Sequence, residues 1–179
     1  MKPLEDSLTQ YAAYHRDRRN IATHLFGIPL IVFATVLALA TVEFSLGELS
    51  ATLAVAACIG ASVYYFRLDA AFGIAMAVTL FFMCAAASEI TARFGGPHSL
   101  LLALAAFVAG WALQFWGHRF EGQKPAFFDD ARQLLIGPLF VVAEVFFFFG
   151  ARAPLRRFIE SRVGPTVARR AGPTPTGVR

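Results

Sequence analysis

The chain has 179 residues, of which 57% are hydrophobic and 16% are charged, and its formal net charge is +4. An average soluble domain has about 25% charged residues, so this composition excludes an ordinary soluble globule. The length is that of one domain. The basic end of the chain, from Arg152 onward, is expected to rest on anionic membrane lipid rather than on nucleic acid.

The first predicted element is a polar stretch, residues 2–19, which is expected to form a short helix at the membrane surface. One face of that helix carries Leu8, Tyr11, Ala12 and His15, at positions i, i+3, i+4 and i+7. The first apolar run follows directly, and Asn20 is the predicted helix cap at the joint.

Four stretches without any Asp, Glu, Lys or Arg come next, at residues 21–42, 49–66, 70–88 and 94–118. A membrane-spanning helix needs about 20 apolar residues, and backbone in lipid must form its hydrogen bonds internally. A fifth apolar stretch, 134–150, is interrupted only by Glu144. The sequence therefore predicts an all-α integral membrane bundle of four transmembrane helices plus a fifth segment that crosses or re-enters.

The distribution of Lys and Arg predicts the orientation of this bundle. Four cations precede the first span, three lie in 119–133 and seven lie in 152–179. The positive-inside rule puts the first two groups in the cytoplasm. Because five full crossings would place the third group outside, the fifth segment is expected to turn back near Gly137-Pro138, with full crossing as the alternative.

The chain is expected to divide into two parts. Residues 1–151 are predicted to form the membrane-embedded domain. Residues 152–179 are predicted to form a basic tail, whose end is rich in Pro, Gly and Thr and is expected to be disordered.

Three of the four histidines are predicted to lie at one face of the membrane. His24 opens the first span and His118 closes the antiparallel fourth, while His98 lies about 30 Å from His118 along the same helix. His15 and Glu121 are predicted to join the first pair. Three imidazoles with a nearby carboxylate suit iron, zinc or copper, and Fe(II) best among oxygen-using sites. The alternative is that these histidines only anchor the chain at the interface.

The spacing of His15 and His24 adds a condition. Nine helical steps place them on opposite sides of a straight helix, so a shared metal requires a break, predicted near Asn20. Glu144 is the other unusual polar residue, because a carboxylate inside an apolar span is costly. It is interpreted as a partner of the metal ligands or as a neutral buried acid, with a structural hydrogen bond to a neighbouring helix as the alternative.

Two segments carry a family resemblance. The first reads Tyr11-x-x-Tyr14-His15, then Asn20, His24 and Gly27-Ile28-Pro29. The second reads Gln114-x-x-Gly117-His118-x-x-Glu121, then Lys124-Pro125-Ala126, Gly137-Pro138-Leu139-Phe140 and Glu144. Together they resemble the small membrane family of iron-dependent 2-hydroxy fatty acid dioxygenases, from about residue 11 to residue 150.

The resemblance implies α-oxidation, in which O₂ and Fe(II) shorten a 2-hydroxy fatty acid by one carbon. It implies His15, His24 and His118 as iron ligands, and Glu121 as a catalytic base or a partner of the ligands. The substrate is expected to contact two further residues, Asn20 and Arg119, the latter through its carboxylate. The expected location is a bacterial inner membrane or the endoplasmic reticulum, with the metal site at the cytoplasmic face.

Two other functions compete with this reading. In the first, the chain is a haem protein with His24 and His118 as axial ligands. In the second, it is a metal-free structural or lipid-binding membrane protein.

Overall fold

The structure is a computed structural model that describes residues 4–167 apart from residues 123, 126 and 128. Its helices are α1 (Leu4–Ala12), α2 (Arg18–Ala40), α3 (Leu53–Leu68), α4 (Ala70–Glu121), α5 (Gln133–Phe148) and α6 (Ala153–Val163). The predicted all-α class is confirmed. By length and composition α2 and α4 can each cross a membrane, and the bent pair α5 and α6 makes a third candidate. The predicted number of four spans is therefore not confirmed.

The predicted break between His15 and His24 is present. Helix α1 ends at Ala12, and α2 begins at Arg18. The prediction of Asn20 as the cap is wrong, because the carboxylate of Asp17 accepts the hydrogen bond from the Arg19 N–H over 2.9 Å. Asp17 and Asn20 are equally good capping residues. Because Asp17 is the cap, α2 begins at Arg18, and residues 13–17 lie outside both helices.

The segment that follows the first apolar stretch is a β-hairpin. Strand β1 (Glu43–Leu46) pairs antiparallel with β2 (Leu49–Thr52). Gly47 has a positive φ of 66° at the turn, a conformation that glycine adopts without steric cost. The hydroxyl of Thr52 then caps α3.

Helix α4 consists of two arms that reverse direction at Gly95, where φ is 74° and ψ is 165°. Ala87 in the first arm and Ala103 in the second lie in one buried cluster with Leu37 of α2. A straight helix would hold Ala87 and Ala103 about 24 Å apart. The third and fourth apolar stretches of the sequence are therefore the two arms of α4, joined by this reversal.

Helix α5 lies across the end of the bundle at which α1 also sits. The hydroxyl of Tyr65, near the end of α3, donates to the Leu135 carbonyl over 2.9 Å. Phe72, at the start of α4, stacks on Phe146 with ring centroids 5.1 Å apart. Because α3 and α4 meet at Asp69, the two ends of α5 contact the same end of the bundle.

The chain turns back after α5 rather than within it. The predicted turn at Gly137-Pro138 is wrong, since α5 runs through both residues. The bend of 114° lies between α5 and α6, where Gly150 and Arg152 have positive φ angles of 77° and 58°. Arg152 forms an ion pair with Asp69, which fixes the bend against the α3–α4 joint.

Part of the predicted basic tail belongs to the packed structure. Helix α6 buries Leu155 and Ile159 in the cluster that includes α1. Beyond it, Val167 donates its N–H to the Arg16 carbonyl over 2.9 Å and accepts from the Arg18 N–H over 3.1 Å. The predicted disorder concerns the end of the tail, and residues 168–179 lie outside the described residues.

Candidate metal centre

His15, His24 and His118 converge at the end of the bundle. Their ring centroids are 4.4 to 5.0 Å apart, and one nitrogen from each lies within 4.8 Å of the others. Each side chain comes from a different place: the turn after α1, the second turn of α2 and the last turn of α4. All three are buried, with 1%, 1% and 6% of their surface exposed.

The backbone fixes the tautomers of two of these histidines. Nδ1 of His15 lies 2.7 Å from the Tyr11 carbonyl oxygen, and Nδ1 of His24 lies 2.8 Å from that of Asn20. A carbonyl oxygen only accepts, so both Nδ1 atoms carry the hydrogen. Both Nε2 atoms therefore present lone pairs, and they face each other over 3.0 Å.

This arrangement fits a divalent metal ion. Two facing lone pairs repel each other unless a cation lies between them. A separation of 3.0 Å is that of two nitrogens bonded to one ion at about 2.1 Å and at a right angle. Burial lowers the pKa of His15 well below its ordinary range, and the proximity of His24 lowers it further. His15 is thus neutral, as a metal ligand must be.

Aromatic packing holds the ring of His15 in place. The Tyr11 ring stacks on it with centroids 4.2 Å apart and an interplanar angle of 1°. Phe140 of α5 contacts both rings, at 4.9 Å from Tyr11 and 5.6 Å from His15. Helices α1 and α5 therefore fix the orientation of a residue that lies in neither of them.

Glu121 braces the turn that carries His15. Its carboxylate accepts hydrogen bonds from the backbone N–H groups of Arg16 and Asp17 over 2.8 to 3.0 Å. The side-chain amide of Asn20 donates to the same carboxylate over 3.3 Å. Glu121 therefore has the contacts of a residue that holds a metal ligand, His15, in position. The role of Glu121 in catalysis stays a prediction.

The other predicted residues lie in different positions. Asn20 is buried and supports the His24 ring through its carbonyl. Arg119 is exposed on the neighbouring face of α4. Glu144 lines a separate groove with Arg18 and Arg156. Within the described part of the chain, the candidate metal group contains the three histidines and neither glutamate.

His98 is exposed just after the reversal of α4, where its Nδ1 lies 3.1 Å from the Phe94 carbonyl oxygen. It lies twenty residues before His118 along the second arm, about 30 Å at helical rise. The predicted separation of His98 from the other three histidines is confirmed.

A cavity of about 70 Å³ adjoins the triad. His24 and His118 form part of its wall, and most of the remaining wall is apolar. Residues that the sequence did not single out also line it, among them Trp111 and Gln133. Gln133 is separated from the histidine motifs along the chain and reaches the cavity only because α5 lies across the end of the bundle.

The fold and the site together define an α-helical protein with apolar helices long enough to cross a membrane and a buried histidine triad able to hold a metal ion. Residues 1–149 match the 2-hydroxy-palmitic acid dioxygenase Mpo1-like family, and the chain belongs to this family. It is 29% identical over 160 residues to the 2-hydroxy-palmitic acid dioxygenase MPO1 of Saccharomyces cerevisiae, covering 88% of this chain and 87% of the relative. No solved structure matches the chain.

Proposed function

We propose that this protein is an Fe(II)-dependent dioxygenase that shortens 2-hydroxy fatty acids by one carbon through α-oxidation. Family membership and the name of the yeast relative support a hydroxy fatty acid dioxygenase. The observation that carries the metal is the 3.0 Å approach of the two Nε2 atoms of His15 and His24, with His118 beside them. Nitrogen donors with open positions suit ferrous iron in oxygen-using sites.

His15, His24 and His118 would hold the iron. When bound, the iron supplies binding and one-electron chemistry for O₂, which organic side chains lack. The protein contributes the rest: the Tyr11 and Asn20 carbonyls keep His15 and His24 in the metal-binding tautomer. The adjoining cavity, whose wall is mostly apolar, excludes water and receives the head-group end of the substrate.

The proposed membrane arrangement has four spans: α2, α3 and the two arms of α4. Helices α1, α5 and α6 then cover the end that carries the triad, and the contacts of both ends of α5 with that end support this placement. The described cationic residues before and at the start of α2 lie at the same end as those of α6, which favours the cytoplasmic face. A fatty acid in the bilayer can there bring its head group to the metal.

The haem alternative is not favoured by this geometry. The rings of His24 and His118 have centroids 5.0 Å apart, and the ring of His15 lies against both. A porphyrin between two axial histidines would have to occupy the space that His15 fills.

The test is turnover by purified protein loaded with Fe(II). We expect 2-hydroxypalmitic acid in air to give the acid one carbon shorter, read by mass spectrometry, and palmitic acid to be a poor substrate because it lacks the second oxygen. Turnover that continues equally under argon or after iron chelation would overturn the mechanism. Bound iron without turnover of any 2-hydroxy acid would overturn the substrate.

A further inference from the structure

The cavity beside the triad contains three buried polar atoms that have no hydrogen-bond partner within the described part of the chain. They are Nε1 of Trp111, Nε2 of Gln114 and Oε1 of Gln133. The two glutamines are 5% and 3% exposed. Because buried polar atoms are nearly always hydrogen-bonded, three of them around one cavity indicate a site for a polar ligand.

The orientation of the Gln133 amide follows from its neighbour Asp130. The Asp130 carboxylate accepts a hydrogen bond from the Gln133 side chain, and only Nε2 can donate it. Oε1 of Gln133 is thus left as the acceptor. Gln114 lies one turn before His118, and its Nε2 packs so closely on α2 that a Cβ on Gly27 would lie 2.4 Å from it.

The cavity therefore offers two donors and one acceptor next to the metal ligands. Trp111 Nε1 is a donor only, and Gln114 Nε2 is also a donor. The head group of a 2-hydroxy acid has the complementary set: a carboxylate that only accepts and a hydroxyl that can donate. A non-hydroxylated acid has nothing to donate to Gln133.

We infer that Trp111, Gln114 and Gln133 form the head-group recognition site for the 2-hydroxy acid, an assignment that rests on the proposed function. The N–H groups of Trp111 and Gln114 bind the carboxylate, and Oε1 of Gln133 accepts the hydrogen bond of the 2-hydroxyl. Gln133 is then the residue that selects a hydroxylated acid.

Hydrogen bonding by the substrate and its chelation of the metal can be distinguished with a 2-oxo acid. A 2-oxo acid has the same oxygens as a 2-hydroxy acid and also chelates a metal, but it has no hydrogen to donate. Bound in the same place, it would leave the buried Gln133 oxygen without a hydrogen-bond donor. An unpaired buried acceptor costs binding free energy, because the oxygen has also lost its contact with water.

The experiment measures dissociation constants of 2-hydroxypalmitic and 2-oxopalmitic acid for the Fe(II)-loaded protein under argon, where no turnover occurs. In Gln133→Leu the preference for the hydroxy acid should fall about tenfold, the effect of one hydrogen bond to a buried group. Gln133→Met, with a more flexible side chain, is the second variant. Ser99→Ala removes another buried unpartnered hydroxyl in α4, remote from the cavity, and should leave the preference unchanged.

Trp111→Phe and Gln114→Leu provide the complementary measurement, because each should weaken both acids equally through the shared carboxylate. An unchanged hydroxy-to-oxo preference in both Gln133 variants, at wild-type iron content, would overturn the inference while leaving the proposed function intact. Iron-loaded wild-type protein that binds neither acid would overturn the proposed function itself.

Discussion

Both carboxylate oxygens of Glu121 lie 3.0 Å from the backbone nitrogen of Arg16. Glu121 comes three residues after His118 at the end of α4, and Arg16 comes directly after His15. One helix end therefore supplies one histidine of the triad and holds the turn that supplies another. The site is assembled by this contact between residues 105 positions apart in the chain.

Replacing Glu121 should weaken the metal site. In Glu121→Ala the N–H groups of Arg16 and Asp17 lose their acceptor, and the turn that carries His15 is released. We expect iron affinity to fall about 10- to 100-fold, as for other partners of metal ligands. Glu121→Gln retains one acceptor oxygen and should lie between wild type and Ala. Competition with a chelator measures the affinity.

Glu121 also has a second predicted role, as a catalytic base. If Glu121→Ala loses turnover while iron affinity stays at the wild-type value, the structural role is contradicted and the base is favoured.

The histidines should separate sharply by function. His118→Ala should abolish turnover of 2-hydroxypalmitic acid, because it removes one of three ligands, and His98→Ala should retain it, because His98 lies at the reversal of α4. Product formation at equal protein abundance is the measurement. Equal loss in both variants would contradict the assignment.

Residues 164–167, which follow α6, should contribute to iron affinity. A chain ending at 167 keeps the backbone pairing of Val167 with Arg16 and Arg18 and should retain wild-type iron affinity. A chain ending at 163 loses this pairing and the Gly164 carbonyl that accepts from the Arg16 guanidinium over 2.8 Å. Its iron affinity should fall about tenfold, in the range of other supporting contacts. Equal affinities in the two truncated chains would show that this pairing does not support the site.

Close packing of α2 on the second arm of α4 should tolerate no added methyl group. A Cβ on Gly110 would lie 2.6 Å from Cγ1 of Ile31 and 2.9 Å from the Gly27 carbonyl oxygen. Gly110→Ala should therefore destabilise the protein by about 1–3 kcal/mol, the usual cost of overpacking.

Gly60→Ala is the matched control for Gly110→Ala, because a Cβ on Gly60 meets nothing within 4 Å and alanine favours helix. Thermal unfolding in detergent compares the two variants. Equal melting temperatures would contradict the packing at Gly110.

The convergence of the histidines was predictable because it depends only on the number of chain reversals. In the sequence His24 lies near the start of the first apolar stretch and His118 at the end of the fourth, so any antiparallel bundle of these stretches brings them to one end. The cap could not be chosen from local sequence, since Asp17 and Asn20 are both good capping residues. The backbone N–H of Asp17 donates a hydrogen bond to Glu121, and this contact could not be predicted because Glu121 is remote in sequence.

The cavity wall was less accessible to sequence reasoning. Gly137-Pro138 suggested a turn, yet α5 continues through it and the chain bends after Phe148. Only this path brings Gln133, at the start of α5, next to His24 and His118. Arg119 is exposed because it lies one helical step after the buried His118, and that step turns its side chain outward.

The central claim is that three histidines hold one iron, and the most direct test is the metal content of purified protein with its absorption spectrum. We predict about one iron per chain in wild type and in His98→Ala, and loss of that iron in His15→Ala, His24→Ala and His118→Ala, without a haem absorption band. Iron retained in all three triad variants, or a haem band in the wild-type protein, would contradict the account.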